Sequence, residues 1–262
     1  MSYSILVDVT KCTGCEQCVN ACIDANGQNK LKADFDRATS MDGLSDSRLL
    51  SIIDAGDGRY VRKSCMHCLE PACVAACLVG GITKTKEGPV VYDADKCIGC
   101  RYCMISRPFH IPRYEWNETT PFMKKCRMCH DRLVGGQLPA CVAACPRGAI
   151  EFGKRSEMLA RAHSIIDANK SKYINRVWGE NEFGGTSVIY ISDTDLAAIG
   201  WPKQNTESIP EITDPIIEKT PYIGGGVMLS MLGLNWIIGR RRRIAEEKKN
   251  NTGYTVDGKG GH

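Results

Sequence analysis

A chain of 262 residues, 43% of them hydrophobic, is long enough to bury a real core in one or two domains. Its net charge of +4 is mild and points away from a nucleic-acid partner. Four Trp and five Phe are few beside 26 Gly and 15 Cys, a balance that suits a chain packed around an inorganic core.

The cysteines admit three chemistries: disulfides, zinc or iron–sulfur clusters. Disulfide scaffolds are usually short secreted chains, and an odd count leaves one thiol unpaired. Zinc favours two CxxC pairs far apart and often recruits His. Here the pairs extend into runs of four, the habit of iron–sulfur proteins.

Four motifs follow one another in the first 146 residues. Motif I is Cys12, Cys15, Cys18 and Cys22, spaced CxxCxxCxxxC. A polar stretch with Asp, Ser and Gly then leads to motif II and reads as a surface insertion that touches a partner or covers motif I. Motif II is Cys65, Cys68, Cys73 and Cys77, motif III holds Cys97, Cys100 and Cys103, and motif IV is Cys126, Cys129, Cys141 and Cys145. A CxxCxxC loop offers three thiolates to one corner of an iron–sulfide cube while backbone N–H groups face the sulfurs. Gly14 and Gly99 occupy the tight turn, where glycine accepts positive φ. The fourth cysteine starts a helical turn facing elsewhere, and in two-cluster ferredoxins it ligates the other cluster.

Overlaid, the motifs predict an internal duplication. The run from Asp8 to Cys15 matches that from Asp93 to Cys100, and the septet from Pro71 to Cys77 recurs unchanged from Pro139 to Cys145. The expected fold is α+β, with two ferredoxin-like cluster-binding halves. Pro108 and Pro146 fit the proline that closes such motifs. The overlay also exposes a gap: Arg107 stands where motif I has Cys22. If fourth cysteines cross over, the deprived centre belongs to motif III's pairing partner, which the overlay leaves open. It could hold three irons, or four with water, the Ser106 hydroxyl or another side chain on the last, or stay empty. The three-iron reading is preferred, and the lost negative thiolate would raise that centre's potential.

Beyond the motifs, Met158, Leu159, Ala162, Ile165 and Ile166 recur at helical spacing, which predicts an amphipathic helix over 155–170. Val188 to Ile191 is β-branched and predicts a strand. His67, His110 and His130 lie beside cysteines and read as hydrogen-bonding neighbours, not ligands. Lys63, Arg101 and Lys125 read as cations that offset cluster charge. From Tyr222 the chain runs without a charge to Ile238, then meets four arginines, Arg240 to Arg243. That length is at the lower limit for crossing a bilayer, and the arginines predict a cytoplasmic tail. Gly224 to Gly226 would allow close packing against another membrane helix. Met1 to Ile5 leaves no room for a twin-arginine signal, so either the folded subunit is exported bound to a signal-bearing partner or it stays inside, and the family resemblance drawn below favours export.

The runs Cys97-Ile98-Gly99-Cys100-Arg101-Tyr102-Cys103-Met104 and Pro108-Phe109-His110-Ile111-Pro112-Arg113-Tyr114, with Phe183 to Tyr190 and Gly200-Trp201-Pro202, are recognisable. On these residues the chain resembles the four-cluster iron–sulfur (beta) subunits of respiratory oxidoreductases, in particular those of membrane-anchored formate dehydrogenases and uptake nickel–iron hydrogenases. The resemblance implies that motif I pairs with motif IV and motif II with motif III. One cluster would take Cys12, Cys15, Cys18 and Cys145, another Cys22, Cys126, Cys129 and Cys141, and a third Cys77, Cys97, Cys100 and Cys103. The last would keep Cys65, Cys68 and Cys73. The cofactors implied are three 4Fe-4S clusters and one 3Fe-4S or atypically ligated 4Fe-4S cluster.

It further implies a non-catalytic subunit relaying electrons between a catalytic hydrogenase or formate dehydrogenase subunit and an integral membrane quinone or haem b subunit. The alternatives are the iron–sulfur subunit of a nitrate, DMSO or polysulfide oxidoreductase, a catalytic subunit with an open iron at the incomplete centre, and a structural zinc protein. The expected division is a duplicated cluster domain over 1–150, an extension over 151–220, a transmembrane anchor over 221–239 and a basic cytoplasmic tail over 240–262. The cluster domain is expected on the periplasmic side.

Overall fold

In the computed structural model, which describes residues 2–39, 42–106, 108–202 and 207–252, the chain begins with strand β1 (Tyr3–Asp8). Ser4, Ile5, Leu6 and Val7 are all buried, as befits the middle strand of a sheet covered on both faces. Helices α1 (Gln17–Ala25) and α2 (Lys30–Thr39) follow, then a hairpin of β2 (Leu50–Asp54) and β3 (Tyr60–Ser64). The one-turn helix α3 (Ala72–Ala75) precedes a second hairpin, β4 (Ile82–Lys84) and β5 (Val90–Tyr92). Helix α4 (Tyr102–Ile105) and the two-residue pair β6 (Arg113–Tyr114) and β7 (Met123–Lys124) lead to α5 (His130–Val134) and α6 (Ala140–Ala143). Strand β8 (Ile150–Lys154), helix α7 (Arg155–Ala168) and strand β9 (Val188–Ile191) then return to the start of the chain.

The return is literal. β1 lies between β8, antiparallel to it, and β9, parallel to it, with Ile5 opposite Phe152 on one side and Val188 on the other. Because side chains alternate across a strand, this sheet separates two apolar clusters. Ile5, Val7, Val188 and Tyr190 face the cysteine-bearing side, with Val19, Leu50, Val61 and Met128. Leu6, Ile189 and Ile191 face α7, with Ala162 and Ile166. The helix and strand expected over 155–170 and 188–191 are both present, and residues on either side of position 150 share one sheet.

The expected surface insertion between motifs I and II is not one throughout. Leu44, Leu49, Leu50 and Val61 are buried, because the β2–β3 hairpin packs its apolar face onto the cysteine-bearing core. A third cluster, made by Ile82, Val90, Cys103, Tyr114 and Met123, gathers the partly buried Cys73 and Cys77.

The chain divides into two units, Met1–Ile212 and Thr213–His262. Helix α8 (Ile209–Thr252) is one long helix and passes through Pro221, where the anchor was expected to begin. Within it, Glu218–Lys248 holds an 18-residue stretch, of mean hydropathy 1.4, that is long and apolar enough to cross a membrane, and Leu229, Leu232, Leu234 and Trp236 are all exposed on its surface.

Candidate metal centres

Each cysteine motif opens on a loop with the same backbone turn. The residue before the second cysteine sits at positive φ in all four: Gly14 at 69°, His67 at 50°, Gly99 at 70° and Met128 at 52°. Two of the four are not glycine, so this turn is held against its intrinsic cost. The turn brings the Met128 N–H to Cys126 Sγ at 3.3 Å, and the first residue of α6, Ala140, donates its N–H to Cys129 Sγ at 3.5 Å. The repeated septets fold alike, each with its proline ahead of a one-turn Ala-Cys-Val-Ala helix.

The first two ligand sets implied by resemblance each surround a cavity. Cys12, Cys15, Cys18 and Cys145 line a small pocket, partly open to solvent, beside Thr13 and Pro146. Cys22, Cys126, Cys129 and Cys141 line a second small pocket beside Met128 and Pro139. Cys22 has therefore left its own motif. Its thiol is pushed well above the ordinary range, first by burial and then by the charges of Cys126, Cys141 and Cys129.

The other two sets are read from the neighbours that each thiol feels. Burial raises Cys103, and its sulfur neighbours are Cys100, Cys77 and Cys97. Burial pushes Cys68 up to about 12, and its sulfur neighbours are Cys65 and Cys73. Three couplings run between sets. Cys18 feels Cys141, Cys126 feels Cys65, and Cys73 feels Cys103. Among the described residues no three His, Cys, Asp or Glu side chains converge closely enough to hold a single metal ion. Four thiolates around an iron–sulfide cube stand further apart than four around one zinc.

Cations and donors complete the fit. Arg62 lies wholly buried against both cavities, and its Nη2 donates to Cys141 Sγ at 3.6 Å. Lys84 donates to the carbonyls of His67 and Cys68 at 2.9 and 2.7 Å, and burial lowers its ammonium to about 8 against the opposing pull of Cys68 and Cys65. Lys125 donates to the carbonyls of Val90 and Cys126. His67 accepts from the Val90 N–H through Nδ1 at 2.9 Å, so the neutral ring carries its proton on Nε2, which is buried without a partner among the described residues. Burial and the charges of Lys125, Lys84 and Arg62 hold that ring neutral. Thiols that are buried or half-buried except at the exposed Cys15 and Cys100, inward cations and unpartnered donors together match what anionic clusters with acceptor sulfides require.

Of the cations expected near the clusters, Lys125 is there. Lys63 instead pairs with Asp42 at 3.3 Å, and Arg101 stacks on Trp116 at 4.5 Å. Arg62 and Lys84 were not singled out from sequence. Both lie on short hairpin strands, where the inward face is decided by the sheet. Arg107, which replaces the fourth cysteine of motif III, lies outside the described residues, and the nearby Ser106 hydroxyl donates to the Cys103 carbonyl at 3.5 Å.

Comparison with known proteins agrees with this chemistry. The family described as 4Fe-4S dicluster domain matches residues 57–155. A protein of Nitratidesulfovibrio vulgaris is 37% identical over 258 residues, which is 95% of this chain and 70% of the relative. The Hydrogenase-2 operon protein HybA of Escherichia coli O157:H7 is 32% identical over 92% of this chain and 85% of its own length. The nitrate-inducible formate dehydrogenase iron-sulfur subunit of Escherichia coli K12 is 34% identical over 88% of this chain and 80% of its own. The chain belongs to the family of iron–sulfur electron-transfer subunits in which HybA and the formate dehydrogenase iron–sulfur subunits stand.

Proposed function

We propose that this subunit is a non-catalytic relay with four iron–sulfur centres, held by Cys12/Cys15/Cys18/Cys145, Cys22/Cys126/Cys129/Cys141, Cys65/Cys68/Cys73 and Cys77/Cys97/Cys100/Cys103. Bound there, such clusters exchange single electrons reversibly. The protein's part is to fix the thiolates, exclude water and place buried cations against the negative charge. The observation that carries the reading is that neighbouring groups come close through single thiols, Cys18 to Cys141, Cys126 to Cys65 and Cys73 to Cys103, which supports four centres following one another in a row. The three-cysteine group is third in that row, so its charge and potential would bear on passage along it.

The repeated septets and the shared loop turn support an origin by duplication of a ferredoxin-like half. The names of the relatives support a catalytic hydrogenase or formate dehydrogenase subunit as partner, and the resemblance drawn from the cysteine motifs implies a membrane quinone or haem b subunit as acceptor. We read α8 as the membrane anchor. Arg240 to Arg243 support a cytoplasmic tail with the cluster domain on the periplasmic side.

The test is ligand exchange between motifs. Cys145→Ser and Cys22→Ser should each cost about four irons per chain and remove two different EPR signals, although Cys22 is the last cysteine of motif I. Cys145→Ser should remove the centre of Cys12, Cys15 and Cys18. Cys12→Ser should remove the same signal as Cys145→Ser; if it instead removes the signal that Cys22→Ser removes, the crossed assignment is broken.

A further inference from the structure

Two arginines in the cysteine-bearing half are buried to the same degree, each 1% exposed, yet their surroundings differ. Arg48 is ion-paired, with Glu16 at 3.3 Å and Asp34 at 3.8 Å. Arg62 has no carboxylate partner among the described residues. Among the described residues the guanidinium makes one hydrogen bond, Nη2 to Cys141 Sγ at 3.6 Å, while Nε and Nη1 are buried without a hydrogen-bond partner there. A lone guanidinium shut away from water costs several kcal/mol unless an anion answers it. The side chain is also well held. Its strand is paired so that Arg62 lies opposite Ile52, and its carbonyl accepts from the Tyr190 hydroxyl at 3.0 Å.

The anion is not supplied by acidic side chains, so it must come from the cavities that Arg62 lines. Arg62 is the one residue that lines both the Cys12/Cys15/Cys18/Cys145 cavity and the Cys22/Cys126/Cys129/Cys141 cavity. We propose that Arg62 is a positioning residue shared by these two centres, its N–H groups donating to sulfur on both sides and its charge favouring the reduced state of each. A fixed cation between two negatively charged groups stabilises whichever carries the extra electron. It would thus lift both potentials together and leave the driving force between them little changed. The inference rests on the ligand sets proposed above.

The experiment uses the full-length chain purified in its native complex, with EPR-monitored redox titration. Arg62→Gln should weaken reduction of both centres about tenfold, which is about 59 mV for a one-electron couple, and leave the other two centres in place. Arg62→Lys should restore most of the shift, because it keeps the charge. A purely structural role would change iron content without moving the potentials of loaded centres, and lysine would not rescue it. Full loading of Arg62→Gln with unmoved potentials, or a shift confined to one centre, overturns the proposal.

Should Arg62→Gln fail to load, the wild-type protein decides. Arginine labelled with ¹⁵N at the guanidino nitrogens should give a hyperfine coupling in pulsed EPR at both centres. Its absence overturns the proposal whatever the variants do. If Cys12→Ser and Cys145→Ser remove one signal, Cys22→Ser removes another, and neither signal responds to Arg62, the ligand sets stand and this inference alone fails. If Cys12→Ser and Cys22→Ser remove the same signal, the ligand sets are at fault.

Discussion

The Tyr173 hydroxyl donates to the Asp8 carboxylate at 2.9 Å, across 165 residues of sequence. Asp8 is buried at the end of β1, accepts also from Thr10, and caps the short turn that delivers Cys12. The loop after α7 thus pins the entrance to the first cysteine loop, at a point where the carboxylate is out of water.

Tyr173→Phe removes one hydrogen bond to a buried charged acceptor and leaves the packing in place. The expected cost is about 1.5–3 kcal/mol, a fall of about 3–12 °C in the temperature at which the visible cluster absorption bleaches. An unchanged bleaching temperature would mean that Asp8 is adequately answered by Thr10 and Lys11.

Gly14 and Gly99 occupy equivalent turns, with φ of 69° and 70°, but different surroundings. A Cβ at Gly14 would meet the Tyr60 ring at 2.7 Å, whereas nothing lies within 4 Å of one at Gly99. Gly99→Ala should cost only the backbone strain, about 1–2 kcal/mol, and keep its cluster. Gly14→Ala adds overpacking of about 1–3 kcal/mol and should lose iron selectively from the centre of Cys12, Cys15 and Cys18. Iron analysis with EPR of the two variants separates these outcomes.

Arg107→Cys restores the fourth thiolate that the motif overlay finds missing. The air-oxidised wild-type protein should give a three-iron EPR signal, and the variant should lose it as iron rises from about fifteen to about sixteen per chain. The added negative charge should also lower that centre's potential. A wild-type protein that already holds about sixteen irons would instead mean a full cube with a substitute ligand.

Leu232→Arg puts a charge near the middle of the apolar stretch of α8. On insertion scales this costs about 3 kcal/mol, more than a hundredfold in partition. The full-length chain translated with inverted bacterial vesicles should shift from carbonate-resistant to extractable. Unchanged resistance would mean that α8 is not the anchor.

Much of this was readable along the chain. Strand β9 was expected over the residues it occupies, because a β-branched run has few other uses. Helix α7 was expected within two residues of its end, from apolar spacing alone. The iron–sulfur chemistry was legible for a sharper reason. Thiolates at two- and three-residue gaps are a local requirement of the cluster, so spacing carries it directly. The family resemblance drawn from those residues agrees with the relatives found.

The middle segment was harder to read. Leu49 and Leu50 form a short apolar run among polar residues, and such a run declares neither strand nor burial until its partner strand is known. Pro221 looked like a boundary because it cannot donate a helical hydrogen bond, yet α8 passes through it at the loss of that one bond.

By itself the sequence determined which atoms could bind a cluster, and which of the four motifs falls one thiolate short. It could do so because ligation depends on residue type and near-neighbour spacing. Family resemblance implied that Cys22 joins Cys126, Cys129 and Cys141, and the fold brings these four around one pocket; only the tertiary structure decided that Arg62 is enclosed between two thiol-lined pockets with no carboxylate to answer it among the described residues. Those facts depend on contacts between residues some forty to a hundred and twenty positions apart, and on the period-two alternation of a short strand whose inward face is chosen by the sheet and core around it.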